Sequence, residues 1–198
     1  IGVEVSSGND DILVASSDGK AIRFNEGDVR NMGRNSQGVR SMRLNDDEHI
    51  VDMTVVKPGT QIVTVSEKGY GKRSDVDEYR LQSRGGKGIK AGVFNSKTGK
   101  LVALKQSIAD DDIMLIADNG VIIRTPISQI SSLSRVSQGV RLMRLKDDNK
   151  IVGVALVKKE EQTISDDEQS VIANHLTNDD NNSIIESQSE AAQPETEE

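Results

Sequence analysis

An all-β fold of propeller-like repeats, about fifty residues each, is predicted by three features of this sequence. First, DDILVASSDGKAIRF (10–24), TQIVTVSEKGYGKRS (60–74) and DDIMLIADNGVIIRT (111–125) align without gaps, with Gly19, Gly69 and Gly120 in register and Arg23, Arg73 and Arg124 four residues later. Second, GRNSQGVRSMRL (33–44), SRGGKGIKAGVF (83–94) and LSRVSQGVRLMRL (133–145) align on Arg34, Arg84 and Arg135, on Gly38, Gly88 and Gly139, and on Arg40, Lys90 and Arg141. Third, each unit closes on an apolar run, IVDMTVV (50–56), LVALKQS (101–107) or IVGVALV (151–157). Self-similarity at a period of 50 to 51 residues is the mark of a repeat architecture.

Within a unit the elements follow in order. A buried apolar strand, a turn carrying Gly and a second strand make the opening hairpin. A short turn of helix is expected next, in NEGDVRNM, SDVDEYRL and PISQISSL, with Asn25, Ser74 and Pro126 at its starts. A basic, Gly-bearing loop leads to a third strand such as GVRSMRL, and a polar turn leads to the fourth. Four strands per unit is the pattern of a propeller blade. The expected blades span about 6–56, 57–107 and 108–158, and IGVEV (1–5), which matches residues 152–156, reads as a strand of a preceding blade. Three units are too few to close a ring, so the chain reads as part of a longer array.

Composition removes several classes of function. Without Cys there is no disulfide, thiol nucleophile or Cys-ligated zinc, and the two His, His49 and His175, form no cluster. Four aromatic residues, Phe24, Tyr70, Tyr79 and Phe94, are too few for a base-stacking platform; Tyr70 and Tyr79 read as packing residues. The acidic runs NDDE (45–48) and DDD (110–112) fall at turns, where Asp and Asn serve the backbone, so no metal site and no catalytic site is assigned. No cofactor is implied. Neither a membrane span nor a secretory leader is read, and a soluble protein is expected.

The formal charge of −7 conceals a division, because twelve acidic and no Lys or Arg residues lie in 160–198. Residues 1–159 keep 25 basic against 20 acidic residues, a balance of +5 against −12 beyond. The segment 159–198, poor in apolar residues, is predicted to be a disordered acidic tail, with SVIANHL at most a transient turn.

The Gly-rich stretch LQSRGGKGIKAG (81–92) is no nucleotide loop, since Lys87 is followed by Gly88 and not by Ser or Thr. Its cations recur instead. Arg34, Arg40, Arg84, Lys87, Lys90, Arg135 and Arg141 fall at repeated positions, along one edge of the array, and a track of cations with few aromatics suits the phosphates of duplex DNA. Arg23, Arg73 and Arg124 read as structural, in salt bridges or as strand-end caps. A protein-interaction propeller is the rival reading.

The motifs QSRGGKG (82–88), NSQGVRSMRL (35–44), SQGVRLMRL (137–145) and GYGKR (69–73), with the acidic ending, resemble the carboxyl-terminal domain of the A subunit of bacterial DNA gyrase. The resemblance covers residues 1 to about 158. It implies a six-bladed β-pinwheel that binds and wraps double-stranded DNA to support ATP-dependent negative supercoiling in the bacterial cytoplasm, at the nucleoid. It implies as partners the rest of the gyrase A subunit, through it the B subunit, and no membrane. Gln82, Arg84, Gly85, Gly86, Lys87 and Gly88 match that family's Q-R-R-G-G-K-G box, with Ser83 in place of Arg. The box opens the family's array, whereas this loop lies in the second of three units, so the chain reads as the last three blades of a β-pinwheel. The equivalent domain of topoisomerase IV shares the architecture and stays an alternative.

Overall fold

A computed structural model describes residues 2–146 and 148–158. The eleven strands among them are β1 (Asp11–Ser16), β2 (Lys20–Asn25), β3 (Ile50–Val56), β4 (Gln61–Ser66), β5 (Tyr70–Asp75), β6 (Ile89–Lys90), β7 (Leu101–Ser107), β8 (Asp112–Ala117), β9 (Ile122–Pro126), β10 (Val140–Arg141) and β11 (Ile151–Val157). They form three antiparallel sheets, in the orders β3-β1-β2-β6, β10-β5-β4-β7 and β11-β8-β9. The fold class is thus all-β, with repeated strand units of a partial β-pinwheel.

Each opening hairpin forms where the sequence placed it. Ile12 faces Phe24, Ile62 faces Ser74 and Ile113 faces Thr125 across the three ladders. The turns close through Gly19, Gly69 and Gly120 N–H groups, which donate to the carbonyls of Ser16, Ser66 and Ala117 at 2.9–3.0 Å. A bulge recurs where the hairpin's first strand meets the closing strand, at Ala15/Ser16, Val65/Ser66 and Ile151/Gly153.

Alternation along β1 and β4 builds the core. Leu13 and Ala15 join Ile62, Val76, Tyr79, Leu101 and Leu104 in a buried cluster between the first and second sheets. Val14 points the other way, toward Ile22, Phe24 and Met42. Val63 and Val65, on the opposite face from Ile62, pack with Ile113, Leu115, Ile127, Ile130 and Ile151 of the third sheet. Each such side chain contributes about 1.5 to 3 kcal/mol by leaving water. Strands buried on both faces therefore read as continuous apolar runs. The closing strands pack together, β3 on β7 and β7 on β11, and so form the inner edge. Asp52 of β3, 3% exposed, accepts from the Leu104 N–H (3.1 Å) and the Lys105 ammonium (3.0 Å) of β7.

The outer edge departs from expectation. A unit does not supply its own four strands: β6, from the second unit, completes the first sheet by pairing with β2, and β10, from the third, completes the second by pairing with β5. The GVRSMRL strand expected at 38–44 does not form: no described strand stands beside it to supply a ladder. Of the strand expected at 1–5, Ile1 lies outside the described residues. Gly2–Val5 have no ladder, and Val3 and Val5 are exposed. A short 3₁₀ turn follows each hairpin, at Glu26–Asp28, Val76–Glu78 and Ile127–Gln129. Asn25 and Pro126 start two of them as expected. The middle one is started by Asp75, whose carboxylate accepts from Asp77 N–H, while Ser74 stays a buried strand residue. The segment 159–198, expected to be a disordered tail, lies outside the described residues.

Candidate nucleic-acid interface

Strand exchange sets where the repeated cations stand. Lys90 of β6 lies opposite Lys20, and Arg141 of β10 opposite Tyr70, so both occupy the outermost strand of a sheet whose other edge is the inner one. The exchange needs glycine at two points. At Gly88 and Gly139 φ is +69° and +85°, and a Cβ would lie 2.7 Å from the Ala21 carbonyl oxygen and 2.6 Å from that of Gly71. Any side chain there would push the outer strand off its partner.

The seven candidate residues divide by what they touch. Arg34, Arg40, Lys87, Lys90 and Arg141 are exposed. Arg84 and Arg135 are half-buried and act as clamps across the exchange. Arg84 Nε donates to the Asp28 carbonyl (3.2 Å) and an Nη to that of Arg40 (2.6 Å). Arg135 repeats this one unit on, donating from Nε to the Glu78 carbonyl (3.0 Å) and from an Nη to that of Lys90. Each thus ties the end of the previous 3₁₀ turn to the carbonyl of the previous rim cation. Among the described residues, none of the seven belongs to an ion pair.

The other repeated arginines behave differently. Arg23 pairs with Asp11 (2.9 Å) and Arg124 with Asp112 (2.7 Å). Arg23 also reaches the Val76 and Tyr79 carbonyls, and Arg73 that of Ser128, so they grip the next unit's 3₁₀ turn. The ion-pair reading of Arg23 and Arg124 holds; Gln61 stands where they have Asp, and among the described residues the Arg73 side chain meets the Ser128 carbonyl and no carboxylate.

The box-like loop is packed more than displayed. Gln82 N–H bonds the Arg23 carbonyl, Gly85 N–H that of Ser41, and the Gly86 carbonyl accepts from Arg43 N–H, at 2.7–2.8 Å. Lys87 is the exposed cation of the loop, Arg84 its clamp. The acidic turns serve the backbone: Glu48 accepts from Asn45 N–H (2.8 Å) and Asp111 from Ile108 N–H (3.1 Å). Burial pushes the Glu48 carboxyl up, but bonds from Ser16 and Asn45, with Lys20 nearby, leave it below its ordinary value.

Two features escaped the sequence reading. Lys72, 1% exposed, sits where the other hairpins have Ile22 and Ile123, and donates to the carbonyls of Ser134 (2.7 Å) and Arg135. Burial pulls its ammonium down to about 8. Tyr70 and Tyr79 are packing residues, as expected, but Tyr70 also accepts a hydrogen bond from Arg141 (2.8 Å), which lowers its phenol. Tyr79 has no such donor, and burial raises it.

Sheets that share their outermost strands around packed inner strands define a propeller-like repeat domain. Residues 10–57, 60–107 and 111–158 match the family described as DNA gyrase C-terminal domain, beta-propeller. The chain belongs to that family. It is 36% identical over 187 residues, 93% of its length, to the DNA gyrase A subunit of Staphylococcus aureus strain MRSA252, and 39% identical over 173 residues to that of strain NCTC 8325 / PS 47. It spans about a fifth of those relatives, 21% and 20% of their lengths. A solved DNA gyrase A C-terminal domain superposes with a TM-score of 0.70 at 29% identity, covering 75% of this chain and 51% of that one. A topoisomerase IV C-terminal domain superposes at 0.77 with 19% identity, covering 88% and 54%, a likeness of fold alone.

Proposed function

We propose that this chain binds duplex DNA along its basic rim and bends it, as a non-catalytic module of the A subunit of a DNA gyrase. Its partners on this reading are double-stranded DNA, the rest of the A subunit, and through it the B subunit, in the bacterial cytoplasm. The whole enzyme would use the bent segment in ATP-dependent negative supercoiling. One observation carries the reading: Lys90 and Arg141 stand on the outermost strands of successive sheets, with Arg40 and Lys87 exposed beside them, and none of the four is in an ion pair among the described residues. Unpaired surface cations at repeated steps suit a backbone that presents phosphates at repeated steps. Two gyrase relatives above 35% identity favour gyrase over topoisomerase IV.

Binding to unrelated duplexes of equal length, measured against salt, tests it. Arg40→Ala, Lys87→Ala and Lys90→Ala together should weaken all duplexes alike and lower the log–log salt slope by about 0.9 for each phosphate no longer neutralised. Salt-independent binding, or none, would favour the protein-interaction reading.

A further inference from the structure

The strongest unexplained charge lies where the second and third sheets exchange a strand. An open cavity of about 490 Å³ is lined there by Lys68, Tyr70, Lys97, Arg141, Asp148 and Lys150, among others. Four cations face one acid. Lys150 is partly answered by Glu67 at 3.8 Å, and among the described residues the Lys68 ammonium donates only to the Ser96 carbonyl. Arg141 and Lys97 are in no ion pair among the described residues, and both stand over the Tyr70 ring, 5.3 and 5.8 Å from its centroid. Tyr70, 9% exposed, is held by packing, and its hydroxyl fixes the guanidinium.

Repetition does not produce this site. In the first unit Asp18 aligns with Lys68 and Asp47 with Lys97, and Asp18 is spent on Lys100 at 3.8 Å. The charge at the second-to-third junction is thus an addition to the shared pattern. Three cations converging on a polar, open cavity beside a rim strand fit a singly charged phosphodiester, which offers two acceptor oxygens and needs no complete desolvation.

We propose that Lys68, Lys97 and Arg141 form a phosphate subsite for the DNA backbone, with Tyr70 as the positioning residue that presents Arg141. The site rests on the DNA-binding reading above. It makes the second-to-third junction the strongest grip of the described rim, where equal repeats would give equal grips.

The test uses the full chain and a duplex of about 40 base pairs, well under the persistence length of DNA. Lys68→Ala/Lys97→Ala should lower the log–log salt slope by about 0.9, the share of the one phosphate the site holds. Lys57→Ala, an exposed cation outside the site, should leave it unchanged. Tyr70→Phe keeps the ring and the charge, so affinity should fall several-fold with the slope retained. The phenol supplies a direct readout through tyrosinate absorbance, taken as the difference between wild type and Tyr70→Phe with the same duplex, which cancels the contributions of DNA and of Tyr79. A phosphate beside it, drawing on Arg141 and screening Lys68, Lys97 and Lys150, should raise the Tyr70 midpoint. If wild type binds DNA with a steep salt slope and the double variant matches it, the subsite is wrong and the DNA reading survives. If wild type binds no DNA, both fall. If inorganic phosphate alone, at constant ionic strength, raises the midpoint as far as duplex does, the pocket serves a free anion and the proposal is overturned.

Discussion

Arg135→Lys separates clamping from phosphate binding, because Lys keeps the charge and loses the fork. In the structure the guanidinium bonds two carbonyls at once, Glu78 from Nε and Lys90 from Nη, and stands 5.9 Å from the Tyr79 ring centroid. Charge-assisted hydrogen bonds contribute about 1.5 to 3 kcal/mol each, but these acceptors sit at a half-exposed junction where water replaces the missing donor. About 1 kcal/mol apiece is a fair expectation, so the variant should lose about 2 kcal/mol in all. With a urea slope of about 2 kcal/mol per molar, the midpoint should fall by about 1 M. DNA binding by the folded variant should keep the wild-type salt slope. A single ammonium cannot span both carbonyls. An unchanged urea midpoint would refute the clamp and return Arg135 to the set of residues that could meet phosphate.

Gly139→Ala should cost at least about 2 kcal/mol in urea unfolding, since a Cβ would meet the Gly71 carbonyl at 2.6 Å in a left-handed backbone, and amides of β5 should lose exchange protection. Lys72, pulled down to about 8 by burial, binds its proton less tightly folded than unfolded; the stability of wild type relative to Lys72→Met should therefore rise with pH from about 8 to the ordinary value of 10.5 and stay flat below about 7. Parallel urea titrations across pH check this, and a difference that falls in that window contradicts it. Removing residues 160–198, which carry twelve acidic and no Lys or Arg residues, should raise DNA affinity at low salt, with the gain shrinking as salt is added. Equal affinities at low salt would leave that segment a solubility device.

The opening hairpins and their tips were legible in the sequence because they depend on neighbours within fifteen residues: the apolar run, the turn and the second strand of residues 10–24 decide one another. Strand exchange was not. Ile89–Lys90 has the same pattern whether it docks on its own hairpin or on Lys20–Ala21 of the preceding one, and a shift by one repeat leaves every local signal intact. Lys72 escaped notice for a related reason: its acceptors are carbonyls 62 and 63 residues away, beyond the reach of any local signal. The rim cations were found by spacing alone. Spacing could not tell Arg84 and Arg135, turned inward onto carbonyls, from Lys87 and Lys90, which are exposed.

The shared outer strands also govern how force travels. A stiff polymer curved against the rim pushes back on β6, which is hydrogen-bonded to the first sheet yet covalently continuous with the second unit. Such a push is handed sideways along the chain into the neighbouring unit before it can pry a single sheet open. No joint between units can yield alone, because flexing one means stripping a strand from the other. A bend imposed on the array is therefore resisted by all of its units in concert, much as a woven band resists tearing at any one thread.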